Sequence, residues 1–180
     1  PSTWLARRNR WRSTVSSSSI SMRSRTSVAW TSSARTRPER SRRESSSSKA
    51  LVQHYGRLAE AVTARFGLKA GDVVVDIGCN DGILLKGYTL PHLVRVGVEP
   101  SKVAEVAVAA GMEVHRSFFT ADVARKIAAG RGRARVVTAT NVFAHVDDIG
   151  GFVDALLPLL APDGVFVIEA PYLIEMFEQV

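Results

Sequence analysis

The seven residues Asp76-Ile77-Gly78-Cys79-Asn80-Asp81-Gly82 carry the clearest chemical signal in the chain. Gly78 and Gly82 remove side chains where a backbone turns sharply and a ligand comes close. The spacing excludes two common phosphate sites. A dinucleotide fingerprint, G-x-G-x-x-G, needs glycine at 78, 80 and 83, but Asn80 and Ile83 stand at two of these. A P-loop needs Gly-Lys-Ser/Thr at a set distance, and no such run follows Gly82. Charge argues the same way. A pyrophosphate seeks backbone N–H groups with no anion nearby, and Asp76 and Asp81 flank this turn.

Two flanking carboxylates suit a ligand with a cationic end. S-adenosylmethionine has one, with an ammonium, a sulfonium and a single carboxylate. Its carboxylate is expected on the N–H groups of the turn, with Asp76 facing the ammonium. Glu99 follows Asp76 by 23 residues, at the end of the next apolar run. An acid at that place accepts hydrogen bonds from both ribose hydroxyls. The plain structural alternative is that Asp76 caps the turn and Glu99 caps the following helix. Cys79 and Asn80 line the turn without a chemical role of their own, since a lone buried thiol is usually inert.

These residues need a sheet to position them. Val73–Ile77 is a β-branched run ending in the glycine turn. Further strands are expected at 94–99, 112–115, 136–140 and 165–168. Between them lie helical stretches at 82–88, 103–110, 121–129 and 152–160. Ser101 and Thr120 are placed to cap two of these helices, and Gly111 and Gly130 to close them. Before the first strand, Leu51, Val52, Tyr55, Leu58, Ala59, Val62 and Phe66 recur at helical spacing up to Gly67. Strands apolar throughout, alternating with helices, predict an α/β fold: a doubly wound, Rossmann-like, mainly parallel sheet covered on both faces.

Composition divides the 180 residues in two. Residues 1–48 hold 11 Arg against two acids, a net +9, and 16 of them are Ser. Residues 49–180 hold 13 Lys and Arg against 15 Asp and Glu, a net −2. The overall charge of +7 therefore belongs to the first segment, so the folded part is not expected to bind nucleic acid. Residues 1–48 are expected to form a disordered basic tail. A transit peptide, a polyanion-binding arm and an out-of-frame translation all remain open for it. The start at Pro1, and the confinement of Trp4, Trp11 and Trp30 to this segment, favour the last. One cysteine rules out an internal disulfide, and no metal site is expected. No apolar run approaches membrane-spanning length, and a cytoplasmic location is expected.

The stretch Val74-Val75-Asp76-Ile77-Gly78-Cys79-Asn80-Asp81-Gly82 resembles the D/E-x-G-x-G-x-G motif of class I S-adenosylmethionine-dependent methyltransferases, with Asn80 in place of the middle glycine. The N-D-G ending is similar to the sugar C-methyltransferase branch, which acts on nucleotide-linked keto-deoxysugars. Other stretches agree: Ser45–Tyr55, Gly97-Val98-Glu99-Pro100-Ser101, Phe118-Phe119, Thr140–Val146 and Ile168–Tyr172. The resemblance implies an S-adenosylmethionine-binding domain over 49–180, incomplete after the fifth strand, and a small-molecule acceptor. It also implies a zinc domain with paired C-x-x-C motifs before the sheet, and residues 1–48 contain no Cys. The family's Y-H-E-H-type segment is expected beyond Val180, and with it the base of the full-length enzyme.

The resemblance implies cofactor contacts from Asp76, Gly78, Cys79, Asn80, Gly82, Glu99, Pro100, Phe118, Phe119 and Asn141. Phe118 and Phe119 are placed to sandwich the adenine or to pack in the core. For C-methylation it implies proton removal beside a ketone, which needs a general base and an oxyanion donor. His145, after the fourth strand, is the candidate base. Asn141 would hold the methionine part or polarise the acceptor, and Tyr172 completes the catalytic candidates. The structural alternative for His145 is that it caps or orients its loop, and His54, His92 and His115 read as surface or packing residues. Two readings compete with C-methylation: small-molecule O- or N-methylation, and a non-catalytic or inactive binding module.

Overall fold

The computed structural model describes residues 27–32 and 44–170. Its strands are β1 (Ser27–Ser32), β2 (Val73–Ile77), β3 (Val94–Val98), β4 (Glu113–His115), β5 (Ala134–Thr140) and β6 (Leu160–Ala170). Its helices are α1 (Glu44–Phe66), α2 (Ile83–Gly87), α3 (Ala104–Ala109), α4 (Ala121–Arg131) and α5 (Ile149–Leu156), with a 3₁₀ turn at Phe143–His145. The sheet order is β1-β6-β5-β2-β3-β4, and every pairing is parallel. Strand order reverses between β2 and β5. That places the mouth of the sheet, where ligands bind in such folds, beside the turn after β2.

Side-chain alternation divides the core into two layers. Val73, Val75, Ile77, Val137, Ala139, Phe166 and Ile168 pack on one face, under Val123, Ala124 and Ile127 of α4 and Leu156 of α5. Val74, Val136, Val165 and Val167 pack on the other, under Tyr55, Leu58, Ala59 and Val62 of α1 and Leu84 of α2. By the same alternation Asp76, Thr138 and Glu169 point to the α1 face, all three buried near the carboxyl ends of their strands.

The five expected strands are all present, and the helix boundaries shift, most at α5 and α4. α5 begins at Ile149, because the Asp148 carboxylate caps it by accepting the Gly151 N–H at 2.9 Å. It stops at Leu156, not Leu160, because Leu159 and Leu160 feed the core and the Leu159 carbonyl accepts the Ala134 N–H. α4 runs past Gly130 to Arg131 and closes at Gly132, which takes the positive φ of 91°. Thr120 caps α4 as expected, accepting the Val123 N–H at 3.3 Å.

A further difference lies in the first segment, for which the sequence predicts no order. Ser27–Ser32 pairs in parallel with Val165–Ala170. A sheet edge offers unpaired N–H and C=O groups to any extended segment, so backbone alone can make this pairing. α1 also begins within the segment, at Glu44.

One aromatic cluster joins the core to the loop after β5. The ring centroid of Phe152 lies 5.2 Å from Phe119, 5.7 Å from Phe143 and 5.9 Å from Phe166. Phe166 is its buried centre. Phe166→Ala should cost about 3–5 kcal/mol of folding stability, the range for emptying a buried aromatic site. Chemical denaturation measures this, and a loss below about 1 kcal/mol would mean that the cluster does not anchor the loop.

Candidate functional site

The turn after β2 is held mostly by its own backbone. The Gly78 and Cys79 N–H groups donate to the Val98 carbonyl at 2.7 and 3.3 Å, tying the turn to the end of β3. The Gly82 N–H donates to the Cys79 carbonyl at 2.8 Å. Gly78 has a φ of 71°, and a Cβ there would overlap the Val142 side chain. Gly82 has a φ of 76°, and a Cβ there would lie 2.5 Å from the Met112 sulfur. Asn80 takes a φ of 56°. Asn is the side-chain-bearing residue that best tolerates this left-handed region, so it can stand where the motif has glycine.

Asp76 is 1% exposed, and the Thr138 hydroxyl donates to its Oδ1 at 2.6 Å. Burial pushes its carboxyl up, the Thr138 bond pulls it down, and the nearby Glu99 charge pushes it up again, to about 7. The protein thus keeps an acid poised between its neutral and ionised forms near neutral pH. A cation placed against it would hold it ionised.

Glu99 fulfils the capping role: its Oε2 accepts the Asn80 N–H at 3.2 Å and its Oε1 the Ser101 N–H at 2.9 Å. A carboxylate has about four acceptor sites, so capacity remains for hydroxyl donors. These caps also engage the turn. The N–H groups of Gly78, Cys79, Asn80 and Gly82 all have protein acceptors, so they do not await a ligand carboxylate as expected. Asp81 retains an N–H without a protein partner among the described residues.

The other expected residues separate. The Cys79 side chain is buried over Gly97, where an added Cβ would meet its sulfur. Burial, then the Asp76 and Glu99 charges, push its thiol up to about 12, so it stays protonated. Only the Cys79 backbone belongs to the turn. Pro100 is exposed beyond Glu99. Phe119 packs in the aromatic cluster, whereas Phe118 is 76% exposed, so the two rings do not face each other as a sandwich. Asn141 has a φ of 57°, and its N–H donates to the Glu169 carbonyl at 2.7 Å. His145 is exposed at the end of the 3₁₀ turn. Tyr172 lies outside the described residues.

Three residues reach this region that the sequence did not single out. Thr138 is the hydrogen-bond partner of Asp76. Tyr88, which the sequence placed only at a helix end, is buried, and its hydroxyl has no partner among the described residues. Burial and then the Asp76 charge push that hydroxyl upward, so it remains a donor. The Arg95 guanidinium holds the Tyr88 carbonyl at 3.2 Å. His54 reaches Glu169 from α1. A signal for His54 existed: it lies three residues after Leu51 and four before Leu58, on the apolar stripe itself. Among the described residues no cluster of His, Cys, Asp and Glu could hold a metal ion, and no helix is long and apolar enough to cross a membrane.

The raised Asp76 carboxyl makes a signed prediction. A carboxyl at about 3.9 unfolded and about 7 folded opposes folding as pH rises between those values, and the penalty is complete above about 7. Asp76→Asn removes the penalty and keeps an acceptor for Thr138. It should raise the melting temperature by about 5 °C or more at pH 8 and leave it unchanged near pH 4. Equal effects at both pH values would contradict the assignment.

Comparison with known proteins bears on the same stretch of chain. Residues 51–179 match the family model described as a methyltransferase domain. The C-methyltransferase NovU of Streptomyces niveus is 39% identical over 129 residues, which cover 71% of this chain and 31% of that protein. A ubiquinone biosynthesis O-methyltransferase of Rhodopseudomonas palustris is 28% identical over 122 residues, covering 66% of this chain and 46% of that one. The chain thus spans less than half the length of either relative. In fold it is similar to a putative S-adenosyl-L-methionine-dependent methyltransferase of Methanococcus maripaludis, with a TM-score of 0.55 and 15% identity, over 76% of this chain and 68% of that one. The Rossmann-like sheet, its acid-flanked glycine turn and a family match over most of the sequence agree: the chain belongs to the methyltransferase domain family.

Proposed function

We propose that the protein binds S-adenosylmethionine and methylates a carbon of a nucleotide-linked keto-deoxysugar. The observation that carries the cofactor reading is the buried carboxylate of Asp76, poised near neutral pH beside a turn whose Gly78 and Gly82 cannot bear side chains. The residues present fit the group. Asp76 would hold the ammonium, Asp81 N–H and the Tyr88 hydroxyl are donors without protein partners among the described residues, and Glu99 keeps acceptor sites for ribose hydroxyls. Phe118 is the exposed ring available to an adenine face.

When bound, S-adenosylmethionine supplies a methyl group on a sulfonium sulfur, open to in-line displacement, where positioning provides much of the acceleration. The chain's own task is then to orient an acceptor at the ends of β5 and β6. Asn141 presents an amide there, held by its backbone bond to Glu169, and His145 presents an exposed imidazole from the same loop. For a keto-sugar, an amide donor near the ketone oxygen would stabilise charge developing there as a proton leaves the neighbouring carbon.

The C-methylation reading draws on the N-D-G turn and on the 39% identity to a C-methyltransferase. The 28% identity to an O-methyltransferase favours a second reading, methylation of a hydroxyl. Methyl-labelled S-adenosylmethionine, offered with a nucleotide-linked keto-deoxysugar or with a phenol, separates them. We expect label on carbon, resistant to acid hydrolysis, and none on the phenol. Label on the phenolic oxygen alone would overturn C-methylation. Asp76→Asn should weaken cofactor binding about tenfold or more, the weight of one charge-assisted contact. Unchanged affinity would remove Asp76 from the site.

A further inference from the structure

We propose that the opposite end of the sheet holds a second site, which binds a small phosphate ester of the sugar-phosphate kind. The inference goes beyond the methyl-transfer reading above and does not depend on it. A cavity of about 400 Å³ opens where β2, β5 and β6 begin. Small-molecule sites span ~300–1,000 Å³. Val73, the first residue of β2, lines the cavity, whereas Ile77 at the other end of β2 leads into the glycine turn. The length of β2, ~13 Å, therefore separates the cavity from the candidate cofactor site.

Charge selects an anion. Lys69, Arg131, Arg133 and Arg135 line the cavity against the carboxylates of Asp72 and Asp163, a cationic excess of two. The glycine turn has the reverse balance, with Asp76, Asp81 and Glu99 around it. Arg131 pairs with Glu113 at 2.7 Å and Arg135 with Asp163 at 2.8 Å. Lys69 and Arg133 have no carboxylate partner among the described residues. Asp72 Oδ2 accepts the Lys69 backbone N–H at 2.7 Å, which fixes that loop. Arg133 donates only to the Leu160 carbonyl, at 3.4 Å. A guanidinium carries five N–H donors in a fork that matches two phosphate oxygens.

The wall of this cavity is ordered from within the sheet. Ala134 pairs with Val73 and Leu160, and Val136 with Val74 and Val165, so Arg135 is the extra residue of a bulge in β5. Bulges re-aim side chains. The Arg135 guanidinium also donates to the Phe66 carbonyl at 3.3 Å, so Asp163 and the end of α1 hold it in place. Gly164 lets the turn of β6 close on β5, since a Cβ there would lie 2.6 Å from the Ala134 carbonyl. Val73 and Ala161 are the apolar side chains of the lining, and no aromatic ring joins them. The fitting ligand is thus a phosphate of about two negative charges on a polar body such as a sugar, and not a base that needs a ring to stack on.

The test titrates the 180-residue chain with glucose 1-phosphate, without S-adenosylmethionine, by calorimetry and by melting temperature. We expect a Kd of about 1 mM or tighter at about 150 mM salt. The melting temperature should rise with the ester, because a ligand of the folded chain stabilises it. Inorganic sulfate should bind about tenfold more weakly, having no sugar to fill the cavity. Lys69 and Arg133 are exposed, so the fold does not rest on them. Lys69→Gln and Arg133→Gln should each weaken the ester about tenfold, the weight of one charge-assisted contact. Arg133→Lys keeps the charge, loses the fork and should weaken it about threefold or more. No binding at about 10 mM ester, or parent affinity in both Gln variants, overturns the proposal. So does sulfate binding as tightly as the ester, which would mean a solvated basic face. Tighter binding of a single-stranded oligonucleotide or a glutamate-rich peptide also overturns it, since the face would then serve a polyanion or a protein.

Discussion

The buried carboxylate of Asp76 sets the terms for the rest of the site. It stands on the last full turn of pleat in β2, 1% exposed, with the hydroxyl of Thr138 as its hydrogen-bond partner. Burying such a group opposes folding unless something compensates. Here the compensation within the protein is incomplete, and the carboxyl rises to about 7. A diphosphate would worsen it, whereas an ammonium would complete it. The parallel sheet makes the arrangement possible, since β5 runs beside β2 in a register that sets Thr138 opposite Asp76.

A second buried acid governs the neighbouring end of the sheet. Glu169 lies on the same face as Asp76, one strand beyond Thr138 and Thr140. Its side chain binds α1 through His54, while its backbone binds the loop through Asn141. The aromatic cluster fixes that loop from the opposite face through Phe143. The loop after β5 is therefore pinned from both layers of the core, which suits a segment that must present side chains to a ligand at fixed distance.

Much of this was legible in the sequence. The five strands, the Thr120 cap, the glycine turn and the acid at the end of β3 follow from local residue types and spacing. What was hidden depends on distance in the chain. Thr138 lies 62 residues from Asp76, and His54 lies 115 residues from Glu169. No local pattern announces a partner that far away; only the strand register and the helix docking bring them together. The edge strand Ser27–Ser32 was missed for a related reason, because its pairing depends on an open edge and not on its own apolar pattern. The engaged N–H groups of Gly78, Cys79 and Asn80 were also invisible, since their acceptors, Val98 and Glu99, belong to the next strand and its end.

The central claim is that this cleft takes a cation where related sheets take a phosphate. Calorimetric titration with S-adenosylmethionine and with NAD, in two buffers of different ionisation heat at pH 7, tests it most directly. An acid titrating at about 7 is about half protonated there, so seating an ammonium against it should release about half a proton per cofactor bound. The account predicts that release with S-adenosylmethionine and no binding of NAD. Binding of NAD at the turn, or binding of S-adenosylmethionine with no proton released, would contradict it.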